Sequence, residues 1–179
     1  MSAGATTCCD PVAGTFTKKW SAAKEEFGPV WVRERRAYRL LAGLDVTPTV
    51  LETSPRLIVT TLHAPLTTWL HNEGEGRTPD ERQRLATDLR SAIAVVHARG
   101  ICHRDLHAEN VVVDGSRPLL VDFELALFGV DPMGPCYDLV GATAMLRKPY
   151  AHHQHPQHPV HWHQGPSELS SLAAALEAP

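Results

Sequence analysis

Ile101-Cys102-His103-Arg104-Asp105-Leu106-His107-Ala108-Glu109-Asn110, continued by Val111-Val112-Val113 and then by Leu119-Leu120-Val121-Asp122-Phe123-Glu124, sets how the rest of the chain is read. An aspartate, an asparagine five residues on and a second aspartate seventeen residues after the first have the layout of a phosphoryl-transfer site. The two apolar runs are separated by Asp114-Gly115-Ser116-Arg117-Pro118, a turn signal, so they predict a hairpin. Antiparallel pairing brings Asn110 beside Asp122, twelve residues away in sequence, with Asp105 on the loop leading in. Two carboxylates and an amide converging there would supply a base and hard oxygen ligands for a metal ion.

Upstream, Thr78-Pro79-Asp80-Glu81 reads as a helix start, with threonine as N-cap, proline at N1 and glutamate completing a capping box. The helix is expected to run to about Arg99 and stop at Gly100, burying Leu85, Leu89, Ala92, Ile93 and Val96 on one side. Pro65 to Leu70 predicts a brief helix, and His71 to Arg77 a loop. Val50-Leu51 and Leu57 to Leu62 read as strands. After Gly28-Pro29 a helix is expected through Leu41, ended by Gly43. Its apolar face, Val30, Ala37 and Leu41, also contains Glu34. A carboxylate there either has a cationic partner across an interface or lies at the stripe's edge in water. Thr15 to Trp20 predicts a short strand carrying Lys18 and Lys19, and residues 1–14 a loosely ordered start. Downstream, the chain to Cys136 reads as loop, Asp138 to Leu146 as helix, Pro149 to Pro166 as irregular, and Ser167 to Ala178 as a closing helix.

With 179 residues, 43% of them hydrophobic, the chain can build a real core. A formal charge of −3 gives no basic surplus, so neither a nucleic-acid nor a membrane partner is expected. No uncharged apolar run approaches the roughly 18 residues of a membrane span, and a cytoplasmic location is the default expectation. Cys8, Cys9, Cys102 and Cys136 lack metal or disulfide spacing and read as reduced thiols.

His103-Arg104-Asp105 with Asn110, followed by Asp122-Phe123-Glu124, resembles the catalytic loop and magnesium-binding motif of the protein-kinase-like superfamily. The resemblance covers about residues 15–146. It implies an α+β, two-lobed fold, with a shortened N-terminal lobe over 1–62 and a reduced, mainly helical C-terminal lobe over 63–179. It implies Asp105 as catalytic base, with Asn110 and Asp122 as ligands of Mg2+. Lys18 in Phe16-Thr17-Lys18 would hold the nucleotide phosphates, Lys19 being the next candidate, and Glu34 would be its helix partner. Thr60 to Leu62 would form the hinge beside the adenine, and Asp138 would brace the catalytic loop or simply face solvent. The implied reaction is transfer of the γ-phosphoryl group of ATP to a hydroxyl, of the protein serine/threonine-kinase type, with aminoglycoside-type transfer to a small molecule as the alternative. A pseudokinase or truncated module working through protein contacts is the competing class.

The departures from that pattern are specific. No GxGxxG precedes Lys18, so the glycine-rich phosphate cover and its strands are expected to be missing or shortened. Glu124 stands where the motif usually has glycine, which implies a fixed magnesium loop with an added carboxylate. Between Glu124 and Asp138 there is no serine or threonine, so no phosphorylation switch is expected there, and Arg104 is expected to pair with a carboxylate. His107 resembles aminoglycoside and related small-molecule phosphotransferases, while Arg104 resembles protein kinases. Six histidines over 152–163 allow a zinc or nickel site, although the prolines among them favour a solvated tail.

Overall fold

The computed structural model describes residues 5–21, 30–71 and 77–129. The expected helix at Asp138, the histidine-rich stretch with its metal reading, and the closing helix lie outside the described residues.

Lys18 owes its position to an antiparallel sheet of four strands in the order β1-β2-β4-β3, formed by Ala5–Asp10, Thr15–Trp20, Leu57–Thr61 and Val50–Ser54. The first of these corrects the expectation of a loose start over residues 1–14. Asp10 Oδ1 accepts from the backbone N–H of Val12 at 3.0 Å and of Ala13 at 2.9 Å, and Gly14 takes a left-handed φ of 64°. That turn folds Ala5–Asp10 back along β2, pairing Thr7 with Lys18. Local apolar alternation is absent from this strand, and all its residues but Ala5 are exposed, so its order comes from the edge of β2.

Helix α1, Val30–Leu41, lies in the chain between β2 and β3 and buries Val30, Glu34, Ala37, Tyr38 and Leu41. Trp20 and Ile58 of the sheet belong to the same core. The second part of the core is built on α3, Pro79–Ala98, with Leu85, Leu89, Ile93 and Val96 inward. Both halves of its capping box form, Glu81 N–H donating to Thr78 Oγ1 at 3.2 Å and Thr78 N–H to Glu81 Oε2 at 2.9 Å. Gly100 follows in left-handed geometry, φ 67°, which only glycine adopts without strain, and turns the chain straight into the Ile101–Asn110 loop.

The hairpin is tighter than expected. Strands β7 (Val111–Asp114) and β8 (Arg117–Leu120) are joined through Gly115 and Ser116 alone, and Arg117 pairs with Asp114 at 2.7 Å. On its outer edge β7 takes up the two-residue β5, Ala64–Pro65, so Pro65 starts as strand and α2 runs Leu66–His71. A further short ladder, β6 (Ile101–Cys102) with β9 (Leu127–Phe128), joins the loop that carries Asp105 to the segment after Asp122. The α+β architecture is therefore as expected, and the two sets of elements are stitched by Leu120 N–H donating to Val46 O at 2.8 Å.

Candidate functional site

Four segments deliver the polar residues: β2, the inner face of α1, and the two loops flanking the hairpin. Lys18 is buried, and its Nζ lies 2.9 Å from Glu34 Oε2, 2.9 Å from Asp122 Oδ1 and 2.8 Å from Glu124 Oε1. The misfit of Glu34 in its apolar stripe is thus resolved by a cation from the sheet, the first of the two readings open at that position. Lys19, the neighbouring candidate, is exposed.

Glu124, expected in a fixed loop, is held through both its side chain and its backbone. Trp20 Nε1 donates to its Oε1 at 2.7 Å, and Arg33 Nε donates to its backbone carbonyl at 2.7 Å. The carboxylates of Glu34, Asp122 and Glu124 all approach within 4.8 Å of one another, a spacing compatible with a cation. The cation found among them is the lysine ammonium.

Burial lowers the pKa of Lys18, but Glu34 first, then Asp122 and Glu124, outweigh it and raise the value above the ordinary lysine range. Glu34 is pushed up to about 8, chiefly by burial, with Asp122 and Glu124 adding to the effect and Lys18 opposing it. The two partners move upward for different reasons: on the lysine three carboxylates outweigh burial, whereas on Glu34 burial and two like charges outweigh one ammonium. A carboxyl with a raised folded-state pKa holds a proton that the unfolded chain has already released. Its contribution is therefore complete below pH about 4.5, the ordinary value, and is lost as pH rises through about 8. Urea unfolding of the wild-type chain should show stability falling across that window, at up to about 1.4 kcal/mol per pH unit, and Glu34→Gln should remove this part of the slope. Parallel slopes in the two proteins would place the proton elsewhere.

The other half of the site is organised by His103. The N–H of Asp105 donates to its Nδ1 at 3.3 Å, which leaves Nε2 as the donor to Val121 O at 2.8 Å. Its ring also packs on Phe123, centroids 4.6 Å apart. One buried imidazole thereby clamps the Asp105 loop to the Asp122 loop. Val121 N–H donates to Asn110 O at 3.1 Å, which carries the hairpin pairing one step past the strand ends and sets Asn110 beside the Asp122 loop. Asn110 Nδ2 donates to Asp105 O at 2.8 Å and Oδ2 at 3.3 Å, and lies 3.0 Å from His107 Nε2. Arg104 and Asp122 both hold left-handed backbone, φ 70° and 64°, unusual for residues with a Cβ and concentrated in the two loops that meet here. The Asp105 and Asp122 side chains keep 31% and 27% of their exposure, so they open to solvent while Lys18 and Glu34 do not.

Thr60 is buried on β4 opposite Phe16, and Leu62 follows the strand. The N–H of Leu62 donates to Gly14 O at 2.9 Å and so is already satisfied within the protein.

Residues 69–172, more than half of the chain, match the family described as the phosphotransferase enzyme family. The chain belongs to that family. A serine/threonine-protein kinase-like protein of Arabidopsis thaliana is 33% identical over 102 residues, 49% of this chain and 27% of that protein. The chain thus spans about a quarter of that relative's length. Together the two matches make it a member of the protein-kinase-like superfamily. The family match begins at Trp69, so Lys18 and Glu34 lie before it. Their contacts with Asp122 and Glu124 join the N-terminal sheet to the matched part.

Proposed function

We propose that this phosphotransferase moves the γ-phosphoryl group of ATP to a hydroxyl acceptor, with Asp105 as the base. The observation carrying the reading is the convergence of Lys18, Glu34 and Asp122, drawn from β2, α1 and the loop after β8, beside the Asp105–Asn110 pair. The donor set suits magnesium: Asp122 offers carboxylate oxygen, and with Nδ2 of Asn110 engaged by Asp105, its Oδ1 is the atom left for a hard cation. When bound, Mg-ATP supplies the transferable group and the charge that neutralises it. The chain's own part is positional and electrostatic. Asp105 accepts the acceptor's hydroxyl proton, and Asn110 fixes the loop that carries it. Lys18 would neutralise phosphate oxygens, exchanging for them one of the three carboxylates it now contacts.

A small-molecule acceptor is favoured by His107, whose Nε2 lies 3.8 Å from Asp105 Oδ2, where serine/threonine protein kinases usually carry lysine. A protein acceptor is the second reading, favoured by the relative's description as serine/threonine-protein kinase-like.

Thermal unfolding with Mg-ATP tests the site without knowledge of the acceptor. At a hundredfold excess over Kd the folded state gains about 2.7 kcal/mol, a rise of roughly 5–10 °C in Tm. Asp122→Ala should abolish the rise. No shift in the wild-type chain at several millimolar nucleotide would favour a module that works through protein contacts.

A further inference from the structure

Helix α1 turns Glu34 inward, and its opposite side carries a different pattern. Val32, Arg35, Arg36 and Arg39 recur at i, i+3, i+4 and i+7, one stripe of a helix. This stripe forms one wall of a cleft of about 650 Å3, whose other wall comes from the loop after α1 and from β3 and β4, including Val50 and Ile58. The floor is apolar, with Leu41, Tyr38 and Ile58 buried, and Val32 stands 48% exposed at its edge.

Charge in the cleft is one-sided. Arg35, Arg36 and Arg39 line it against a single carboxylate, Asp45, which faces Arg117 at 3.4 Å. Arg36 stacks on Phe128 at 4.4 Å. Arg35 and Arg39 have no carboxylate partner among the described residues. They sit one helical turn apart, where like charges repel. An anionic ligand spanning both removes that repulsion, and the apolar floor asks for a side chain rather than a bare ion.

We propose that this cleft docks an acidic peptide segment of a partner protein, an apolar side chain seated against Val32, Leu41 and Ile58 with flanking carboxylates on Arg35 and Arg39. Charge complementarity selects the class of partner, and the apolar floor sets its anchor. Glu34 and Lys18 lie on the other side of α1, so docking is separable from nucleotide binding.

The probe is a fluorescein-labelled decapeptide with one central phenylalanine flanked by aspartate and glutamate, titrated into the full chain by anisotropy. The acidic peptide should bind, weaken as salt rises, and lose roughly tenfold in affinity with Arg35→Glu/Arg39→Glu. A version with alanine for phenylalanine, and Val32→Asp in the protein, should each weaken it as well. Both protein variants should keep the wild-type melting curve and Mg-ATP response. Absence of binding at millimolar peptide, equal binding of a lysine-flanked control, or unchanged affinity in the double variant would overturn the proposal. So would binding that appears only after removal of residues 167–179, or a dimer in sedimentation that the double variant dissolves, since either gives the cleft another occupant.

Discussion

Asp105→Asn should lower phosphoryl transfer, followed as ADP release with an accepted hydroxyl substrate, by about 100-fold or more while leaving the melting temperature within a degree or two. The separation of effects follows from how the loop is held. Asp105 is anchored by its backbone: its N–H donates to His103 Nδ1 and its carbonyl accepts from Asn110 Nδ2 at 2.8 Å. The side-chain contact with Asn110 is longer, 3.3 Å, and an asparagine oxygen can replace it. What the substitution removes is the capacity to take a proton, which matters only when a hydroxyl attacks. A variant that turned over at the wild-type rate would assign the base to another residue, and one that unfolded would show the carboxylate to be structural. His103→Ala supplies the contrast, since it deletes the clamp between the two loops and should act on stability first.

The parts of this site that could be read from sequence are those whose geometry is fixed locally. Asn110 and Asp122 flank a hairpin with a two-residue turn, so their meeting follows from strand register alone. A charge in an apolar helical stripe left two readings at Glu34, a cationic partner or an edge position in water, and Lys18 supplies the first. Other features have no local signature. Glu124 meets Trp20 and Lys18 from more than a hundred residues away, and nothing in its neighbourhood distinguishes a carboxylate aimed at a metal from one aimed at a buried lysine. Left-handed backbone at Arg104 has no signal in the residue type, and at Asp122 only the weak one that aspartate enters this region more readily than most side chains. The ladder of Ile101–Cys102 with Leu127–Phe128 is two residues long on each side, too short for periodicity. β1 shows the reverse case, a strand whose side chains are almost all exposed and whose order is borrowed from its neighbour.

Lys18→Met should cost about 3–5 kcal/mol of folding stability, a large share of the 5–15 kcal/mol typical of a domain, and abolish phosphoryl transfer as well. Methionine fills much the same space, so the loss is electrostatic. Glu34 and Glu124, with side chains 3% and 8% exposed, would be left facing each other and Asp122 with no cation among them. Glu34, already pushed up to about 8, would hold its proton further up the pH range, and a second carboxyl would have to take one up or draw in water, which weakens the junction between the N-terminal sheet and the Asp122 loop. The same logic predicts a rescue. Glu34→Gln/Glu124→Gln added to Lys18→Met should recover much of the lost stability, because it removes carboxyls that the lysine was compensating, and none of the lost transfer, because the cation proposed to face the phosphates is still missing. Denaturant midpoints for the wild type, the single variant, the glutamine pair and the triple variant give the coupling directly. A loss under about 1 kcal/mol for Lys18→Met, or no recovery in the triple variant, would mean that the three carboxylates do not depend on Lys18 for their burial, and the junction would have to be held by its apolar packing alone.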